Sequence, residues 1–350
     1  MTTVSERKRV AVVGAGISGL TAAFRLQEAG FAVTVLEAGP TAGGRMSNID
    51  KAGYRIDTAA AFLLDSYQQM QRLISDAGLA SLKCATSDLI GVLREGRVHR
   101  IRAHSYTDLA RTHLLSWSSK IRAANLLMDI RRTRPTFSWE DLSAAGSIDT
   151  ESVLAYTLRR LDSELLDYLV APMCSAFYMR TPAELSVVEL FFCMNALLGS
   201  STFSFPDGIS TLPRLLAAQV PVTLNARVTH VEERREAVHV HWRQPGEPEH
   251  SETVAAVILA IPGKDVPGIF PQMPTAQREY LAGLRYSRDI HVSFGLRKPP
   301  DEPATYILVP SREHHDLSIV SFNHNYSPGS TPDGHGLVTV YHSAAWSEQH

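Results

Sequence analysis

The stretch Val10-Ala11-Val12-Val13-Gly14-Ala15-Gly16-Ile17-Ser18-Gly19 decides the fold of this 350-residue chain. Its apolar first part, Val10–Val13, predicts a strand, and the glycine-rich part predicts a turn. Apolar residues at three- and four-residue spacing then predict a helix over Leu20–Ala29. A second apolar run, Phe31–Leu36, predicts another strand and ends immediately before Glu37. The order strand, turn, helix and strand predicts a βαβ unit of a doubly wound α/β sheet.

Three glycines of the turn have separate mechanical roles. Gly14 allows the tight turn from strand to helix, Gly16 lets the backbone approach a pyrophosphate, and Gly19 lets the helix pack closely on the strand. The pyrophosphate is then bound by the unpaired N–H groups and the positive dipole end of the helix that begins near Ile17. The turn therefore predicts a dinucleotide-binding site.

Glu37 lies about twenty residues beyond the turn, where a carboxylate accepts hydrogen bonds from the adenosine ribose. Because this carboxylate would repel a 2′-phosphate, we expect a dinucleotide that is unphosphorylated on that ribose. An ordinary βαβ turn explains neither Glu37 nor the second glycine pair, Gly43-Gly44, which Arg45 follows.

The run from Val35 to Arg45, Val-Leu-Glu-Ala-Gly-Pro-Thr-Ala-Gly-Gly-Arg, resembles the flavin amine oxidase superfamily. That superfamily includes amine oxidases, protoporphyrinogen oxidases and phytoene-type desaturases. The resemblance implies that the cofactor is FAD, with the Gly-Gly-Arg segment beside its pyrophosphate and Arg45 supplying cationic hydrogen bonds. It also implies that residues 53–62 pass close to the flavin ring, and that the backbone at Val228 contacts the adenine. Relatives usually carry glycine near the positions of Ala59 and Ala60.

The motif and the resemblance together define a predicted FAD site. Its residues are Gly14, Ala15, Gly16, Ser18, Gly19, Glu37, Ala38, Gly43, Gly44, Arg45, Ala59, Ala60, Ala61 and Val228. No metal site is predicted, because His239 and His241 share one face of a strand without further ligands evident.

The resemblance implies an α/β fold in which a Rossmann-like FAD-binding domain of the GR2 type is interleaved with an α+β substrate domain. We expect residues 1–85 and 205–265 to form the FAD-binding domain. Residues 86–204 then form the helical part of the substrate domain, with helices from about Leu89 to Gly199, and residues 266–350 form its sheet. Alternating apolar residues predict strands in the later segments, among them 222–232, 238–242, 254–260, 290–296, 306–309 and 337–341.

Composition narrows the classes of function. Apolar residues make up 44% of the chain and the net charge is −2, so we expect a large core and no nucleic-acid partner. Cys84, Cys174 and Cys193 form no CxxC pair, which is typical of buried thiols in a reducing compartment. Met1–Arg9 leads directly into the first strand without room for a signal peptide, and no apolar stretch is long enough to span a bilayer. We therefore expect a cytoplasmic protein.

The stretch Leu109–Arg134 is amphipathic and basic. Its basic residues include Arg111, Lys120, Arg122, Arg131, Arg132 and Arg134. One interpretation is a peripheral contact with anionic lipid that delivers a lipophilic substrate, and the other is a solvated helix face. The pattern alone favours the solvated face, and the oligomeric state is not indicated.

The expected reaction is hydride transfer from a C–H bond of a large, apolar small molecule to flavin N5, which is a dehydrogenation or desaturation. Candidate residues for the substrate cavity are Phe177, Tyr178, Phe191, Phe192, Phe203 and Phe205. By resemblance, His291 stands at about the position where the amine oxidase branch carries a lysine, so His291 is the candidate catalytic residue. The alternative, which the residue type alone slightly favours, is an ordinary strand histidine. The missing lysine disfavours a typical amine oxidase.

Three alternatives stay open: an FAD-dependent amine oxidase, an isomerase or cyclase that uses reduced FAD without net redox change, and a flavin-binding protein without turnover. A nicotinamide enzyme would leave the segment Gly43-Gly44-Arg45 without a role. The closing FAD element of the superfamily, a Gly-Asp-containing strand followed by a helix, is not found in this sequence.

Overall fold

The computed structural model describes residues 8–102, 105–138, 141–198, 200–235 and 237–350, apart from the side chain of Tyr106. The N-terminal residues 1–7 and Gly199, which bound two of the predicted segments, lie outside these ranges. The helices are α1 Ile17–Glu28, α2 Gln68–Asp76, α3 Tyr106–Arg111, α4 Trp117–Thr133, α5 Val153–Arg160, α6 Ser163–Leu165, α7 Ala171–Tyr178, α8 Val187–Leu197, α9 Thr211–Ala217, α10 Val266–Ile269, α11 Thr275–Ala282 and α12 Ala344–Gln349.

The strands are likewise numbered in chain order. They are β1 Arg9–Val13, β2 Ala32–Leu36, β3 Asn48–Lys51, β4 Tyr54–Asp57, β5 Leu63–Leu64, β6 Cys84–Ala85, β7 Leu89–Arg94, β8 Arg97–Arg102, β9 Thr202–Ser204, β10 Val222–Thr223, β11 Arg227–Arg234, β12 Ala237–Arg243, β13 His250–Val254, β14 Ala256–Leu259, β15 His291–Leu296, β16 Tyr306–Leu308, β17 Leu317–Phe322 and β18 Gly336–His342.

The first βαβ unit lies in a parallel sheet of four strands in the order β10-β2-β1-β14. Val12 lies opposite Val35 on one side and Ile258 on the other. Because side chains alternate along a strand, Val12 enters the core beneath α1, whereas Val13 enters a second core with Val228. Both faces of the sheet are therefore covered, as a parallel sheet requires.

A mixed sheet of six strands, in the order β15-β18-β17-β16-β7-β8, forms the second large layer. The prediction of helices from Leu89 was wrong for its first part, because residues 89–102 form the hairpin β7–β8, whereas helices follow from residue 106. Glu95 and Gly96 form its turn and both have positive φ, 52° and 73°, as a two-residue hairpin turn of the primed type requires. Residues 89–93, Leu-Ile-Gly-Val-Leu, are a short uninterrupted apolar run, and periodicity alone does not distinguish a buried strand from a helix in such a run.

Helices α3–α8 pack on this mixed sheet and share one hydrophobic core with it. The basic stretch Leu109–Arg134 consists of two helices rather than one. Residues 112–116 separate the two helices. Ser116 is the N-cap of α4, and its side chain accepts a hydrogen bond from the N–H of Ser119. Near the end of the segment predicted to be helical, residues 187–197 form α8, which packs Val187, Leu190 and Phe191 into the core.

Chain order and sheet order differ, so the two large sheets are built from alternating segments of the sequence. Strands β7 and β8 join the mixed sheet, whose other strands come after residue 290. Strands β10 and β14 return to the parallel sheet that β1 and β2 begin. In the part of the chain that the structure describes, no helix has both the length and the apolarity needed to cross a bilayer.

Candidate functional site

The glycine turn follows β1, and two of its glycines are required by packing within the protein. Gly14 has φ +100°, its N–H donates to the carbonyl of Leu36 at 2.8 Å, and a Cβ there would lie 2.8 Å from the carbonyl oxygen of Ala260. A Cβ on Gly19 would overlap the carbonyl oxygen of Gly14. These two glycines therefore bring α1 against β1 and β14, which is the close packing that the sequence predicts.

Gly16 differs from Gly14 and Gly19 because the space that a side chain would occupy there is open. Within the described residues, a Cβ built on Gly16 has no heavy atom within 4 Å apart from its chain neighbours. Gly16 is the N-cap of α1, where no described side chain caps the helix and the first turn holds no acidic residue. An open, uncapped helix N-terminus fits an anionic pyrophosphate, since its N–H groups and positive dipole end are free to bind it.

The second glycine pair lies directly against this turn. Gly16 and Gly43 form a parallel β-bridge, and the N–H of Gly43 donates to the carbonyl of Ala15 at 2.9 Å. A Cβ on Gly44 would lie 3.3 Å from the Cα of Gly16. Arg45 is exposed beside them, and its guanidinium has no ion pair or hydrogen bond with any described residue. An unpaired cation at this position suits a pyrophosphate.

Glu37 connects the turn to the end of β2. One carboxylate oxygen accepts the N–H of Ala15 at 2.7 Å, and the other accepts the N–H of Gly39 at 2.7 Å. Each oxygen retains lone pairs that can accept a ribose hydroxyl. Glu37 is thus a structural anchor of the turn as well as a candidate ligand, and its neighbour Ala38 is exposed.

Val228 is positioned through the segment that precedes it. The N–H of Ala226 donates to the carbonyl of Glu37 at 2.7 Å, and the N–H of Asn225 donates to the carbonyl of Gly39 at 2.9 Å. Val228 itself is buried in the core that also contains Leu36. The structure therefore brings Val228 to the same strand end as Glu37.

The predicted flavin-side segment Ala59–Ala61 is attached to the loop of Arg45. The N–H of Ala60 donates to the carbonyl of Arg45 at 3.0 Å, and the hydroxyl of Ser204 donates to the carbonyl of Ala61 at 3.1 Å. The segment Ala59–Ala61 is thus connected through Arg45 to the glycine turn at the carboxyl end of β1, whereas Ser18 and Gly19 lie in α1 and Val228 lies in β11. Ligands of open parallel sheets bind at this end of the strands.

An apolar cavity of about 110 Å³ lies between the mixed sheet and the helices that cover it. It is lined by Ile90, Val92, Ile101, Arg102, Ser105, Leu109, Ala123, Leu126, Leu127, Tyr168, Leu169, Met173, Phe177, Met194, Leu197, Leu198, Tyr306 and Leu308. The Tyr306 ring is stacked on Phe62, with centroids 6.1 Å apart and planes at 4°. Because Phe62 directly follows Ala61, this stacked pair joins the cavity wall to the predicted flavin-side segment.

The residues predicted to line a substrate cavity agree only in part with the lining of this cavity. Of the six aromatic candidates, Phe177 lines it, whereas Phe191, Phe203 and Phe205 are buried in the cores. The hydroxyl of Tyr178 donates to the carbonyl of Glu189. Half of the lining residues are leucine or methionine, brought together by tertiary contacts. The signal that was missed is the short apolar run of β7, residues 89–93.

His291 is the first residue of β15 and does not line the apolar cavity. Its Nδ1 lies 3.5 Å from Oδ2 of Asp289, and its ring centroid lies 5.1 Å from that of Tyr341. Burial raises the pKa of Tyr341, and the nearby carboxylates of Asp289 and Asp57 raise it further. His291 therefore belongs to a cluster of titratable groups at the edge of the mixed sheet.

Asp57 is a buried acid that the sequence reasoning did not single out. It ends β4, only 4% of its surface is exposed, and burial raises the pKa of its carboxyl to about 7. The N–H of Ile209 bonds to the carboxyl, but Oδ1 has no partner among the described residues. A Cβ on Gly208 would lie 2.9 Å from Oδ1, so this turn packs tightly on the acid.

Comparison with known proteins identifies the family. A family model described as "Flavin containing amine oxidoreductase" matches residues 17–350. The chain belongs to this family. It is therefore a member of a family of FAD-dependent oxidoreductases with FAD as the cofactor, which confirms the resemblance and the fold class predicted from the sequence. In the described residues, no group of three or more His, Cys, Asp or Glu side chains could hold a metal ion.

Individual relatives resemble this chain over different lengths. Mitochondrial protoporphyrinogen oxidase of Nicotiana tabacum is 30% identical over 190 residues, which are 53% of this chain and 36% of the relative. L-amino-acid oxidase of Mus musculus is 25% identical in an alignment 347 residues long that covers 91% of this chain and 54% of the relative. The chain thus spans about a third to a half of the length of these relatives. A structure of putrescine oxidase bound to putrescine superposes with a TM-score of 0.77 at 18% identity, over 98% of this chain and 77% of that one.

The raised pKa of Asp57 predicts how stability varies with pH. Because the folded protein binds this proton more tightly than the unfolded chain, the contribution is fully present below about pH 4 and is lost as pH rises through about 7. The substitution Asp57→Asn should remove this contribution, which amounts to at most roughly 4 kcal/mol. Urea unfolding of both proteins across this pH range measures the difference.

Asp207→Asn is the matched control, because Asp207 is about half exposed and lies on the same turn as Gly208. We expect this control to retain the pH dependence of the unmodified protein. An Asp57→Asn variant with the same pH dependence as the unmodified protein would show that Asp57 does not hold the proton.

Proposed function

We propose that this chain is part of an FAD-dependent enzyme that removes a hydride from a C–H bond of an apolar small molecule and thereby dehydrogenates it. The observation that carries this proposal is the position of the apolar cavity. Tyr306, one of its lining residues, is stacked on Phe62, which directly follows the segment Ala59–Ala61. Bound FAD supplies a hydride acceptor at flavin N5. The protein must then bind the cofactor, orient the substrate and exclude water.

The proposed cofactor contacts follow from the geometry of the loops. The open N-terminus of α1 at Gly16 and the unpaired guanidinium of Arg45 bind the pyrophosphate, and Glu37 accepts the ribose hydroxyls. Ala59–Ala61 and Val228 provide backbone and small side chains against the flavin and the adenine. The residue types fit FAD, because the site combines an uncapped helix end, a free cation and backbone that is accessible at a glycine.

The chemistry of the lining supports an apolar substrate. None of the described lining residues carries a carboxylate that could pair with an ammonium group. The one cationic lining residue, Arg102, already forms hydrogen bonds with both carboxylate oxygens of Asp108, at 2.8 and 2.9 Å. A charged substrate would therefore lose hydration in this cavity without a compensating partner.

His291 is proposed as the residue that accepts or relays a proton. Its imidazole lies beside Asp289, which can stabilise the protonated ring, and beside the phenol of Tyr341. Because Tyr341 also interacts with Asp57, two residues before Ala59, this cluster reaches the flavin-side segment from the mixed sheet.

The interleaved sheets support the proposed division into two domains. Residues 1–85 and 205–265 contain the strands of the parallel sheet, and residues 86–204 and 266–350 contain those of the mixed sheet. The apolar cavity is lined by residues of the segments 86–204 and 266–350. Phe62, in the segment that follows Arg45, is stacked on Tyr306 and so joins the proposed cofactor domain to the proposed substrate domain.

Amine oxidation is the second candidate, since the similarity to mouse L-amino-acid oxidase extends over 91% of this chain. The discriminating experiment begins with the absorption spectrum of the purified protein and the mass of any cofactor released from it. Apolar polyenes, acyl chains, porphyrinogens, diamines and amino acids are then mixed anaerobically with the flavin-loaded protein. Bleaching of the flavin by an apolar compound supports the proposal, whereas bleaching by amines alone would replace it with amine oxidation.

The open side of Gly16 leads to a prediction about the cofactor. Gly16→Val should fold normally, because a Cβ at this position has no described heavy atom within 4 Å, but it should prevent pyrophosphate binding and yield a colourless protein. Gly268→Val is the control, since a Cβ on Gly268 also meets nothing. Circular dichroism checks the fold, and flavin absorbance per protein measures binding. A stoichiometric yellow Gly16→Val protein would remove this turn from the cofactor site.

Filling the cavity provides a test of the substrate site. Met194→Trp places a larger side chain in a cavity of about 110 Å³, and we expect it to lower kcat/KM for the apolar substrate at least roughly tenfold without loss of FAD. Met273→Trp, outside the cavity lining, should leave kcat/KM unchanged. Equal kcat/KM for the Met194→Trp and unmodified proteins would place the substrate elsewhere.

A further inference from the structure

The helix α4 is apolar on two opposite sides. Trp117, Ile121 and Met128 are 74%, 73% and 43% exposed, although all three are large and hydrophobic. Their spacing of four and seven residues places them on one face of the helix. The opposite face packs Ala123 and Leu126 into the core. The exposed face is therefore a contiguous apolar stripe that the described part of the protein does not cover.

A basic cleft of about 830 Å³ borders this stripe at Trp117. It is lined by Arg94, Glu95, Arg97, His99, Ala110, Arg111, Thr112, His113, Leu115, Ser116, Trp117, Lys120 and Glu164. Glu164 is paired with Arg94 at 2.6 Å, so its charge is already neutralised. In the described part of the chain, Arg97 and Arg111 have no ion pair. The cleft thus presents uncompensated positive charge on a protein whose net charge is −2.

Apolar and basic groups meet at the junction of the stripe and the cleft. The Nζ of Lys120 lies 4.6 Å from the centroid of the Trp117 ring and donates to the carbonyls of Ala110 and Thr112. A tryptophan next to a fixed ammonium group matches the boundary between acyl chains and headgroups, where Trp is favoured and cations meet lipid phosphates.

We propose that this stripe and cleft dock the protein on the surface of an anionic lipid bilayer. Trp117, Ile121 and Met128 enter the boundary region, while Arg97 and Arg111 contact the phosphates. A small soluble anion would account for the cleft but would leave the apolar stripe in water. An apolar protein partner would account for the stripe but not for the adjoining positive charge. The combination matches an anionic bilayer.

Docking in this orientation has a consequence for the substrate. The same two helices, α3 and α4, contribute Leu109, Leu126 and Leu127 to the apolar cavity and Arg111 and Lys120 to the cleft. The cavity and the docking surface therefore lie on two sides of the same helices, which would bring a lipophilic molecule in the bilayer close to the cavity. This consequence rests on the proposed function, whereas the docking itself does not.

Vesicle flotation of the full chain tests the docking without any turnover. We expect the protein to float with vesicles of phosphatidylcholine and phosphatidylglycerol in equal parts, and to bind pure phosphatidylcholine at least roughly tenfold more weakly. Added salt should weaken the binding because it screens the charges. Vesicles with brominated acyl chains should quench tryptophan fluorescence in the unmodified protein but much less in Trp117→Phe.

Matched variants separate the apolar and the basic contributions. Trp117→Ser with Ile121→Ser should weaken binding to the anionic vesicles at least roughly tenfold. Val292→Ser with Phe294→Ser is its control, because these exposed side chains lie on β15. Arg97→Glu with Arg111→Glu should also abolish most of the binding, whereas Arg285→Glu with Arg288→Glu makes the same charge change at other exposed positions and should not.

Three outcomes would overturn the proposal. The first is failure of the unmodified protein to float with anionic vesicles. The second is an equal loss of binding in the control variants, which would indicate nonspecific charge or hydrophobic effects. The third is displacement by inorganic phosphate beyond the effect of sodium chloride at equal ionic strength, which would identify a site for a soluble anion. Substrate bleaching in detergent, measured separately, tests the proposed function and is unaffected by these results.

Discussion

The close backbone contact between the two glycine segments is the constraint on which the rest of the site depends. Gly43 is bridged to Gly16, and Gly44 approaches the Cα of Gly16 so closely that a side chain would not fit without movement. This contact fixes the loop that carries Arg45, whose carbonyl then accepts the N–H of Ala60. From Ala60 the chain leads to Phe62 and its stacked partner in the cavity wall. A continuous series of short contacts therefore connects the turn after β1 to the mixed sheet.

Polar and apolar groups lie at opposite ends of this series of contacts. At the glycine turn, an exposed arginine with no partner among the described residues and an uncapped helix end favour an anion. In the cavity, the described lining offers leucine, methionine and aromatic side chains, and its single cation is paired with Asp108. The proposed hydride transfer would benefit from this arrangement, because the polar turn suits the cofactor and the apolar cavity would keep water from the reacting C–H bond.

The sequence predicted the backbone geometry around the glycine turn far better than it predicted the lining of the apolar cavity. The residues around Gly14, Glu37 and Gly43 act through local backbone geometry, so their spacing carries the information. The hairpin β7–β8 was missed because its strand signal is short, and the adjoining long helical segment led to the prediction of helices there. The cavity could not be read from residue type, because leucines and methionines that line it look the same in sequence as those that fill a core. The partner of Glu37 in the structure, the N–H of Ala15, is likewise a tertiary contact between residues 22 positions apart.

The buried acid Asp57 shows how the two halves are coupled. Burying a carboxylate with an unpartnered oxygen is costly, so the protein favours the neutral form, which is the physical cause of the raised pKa. Asp57 interacts with Tyr341 on the mixed sheet and is bonded to the N–H of Ile209, just before α9. It also lies two residues before Ala59. Ionisation of Asp57 would therefore affect three places at once: the segment Ala59–Ala61, the turn at Gly208 and the strand beside His291. The protonation state of Asp57 is thus coupled to both sheets rather than to one loop.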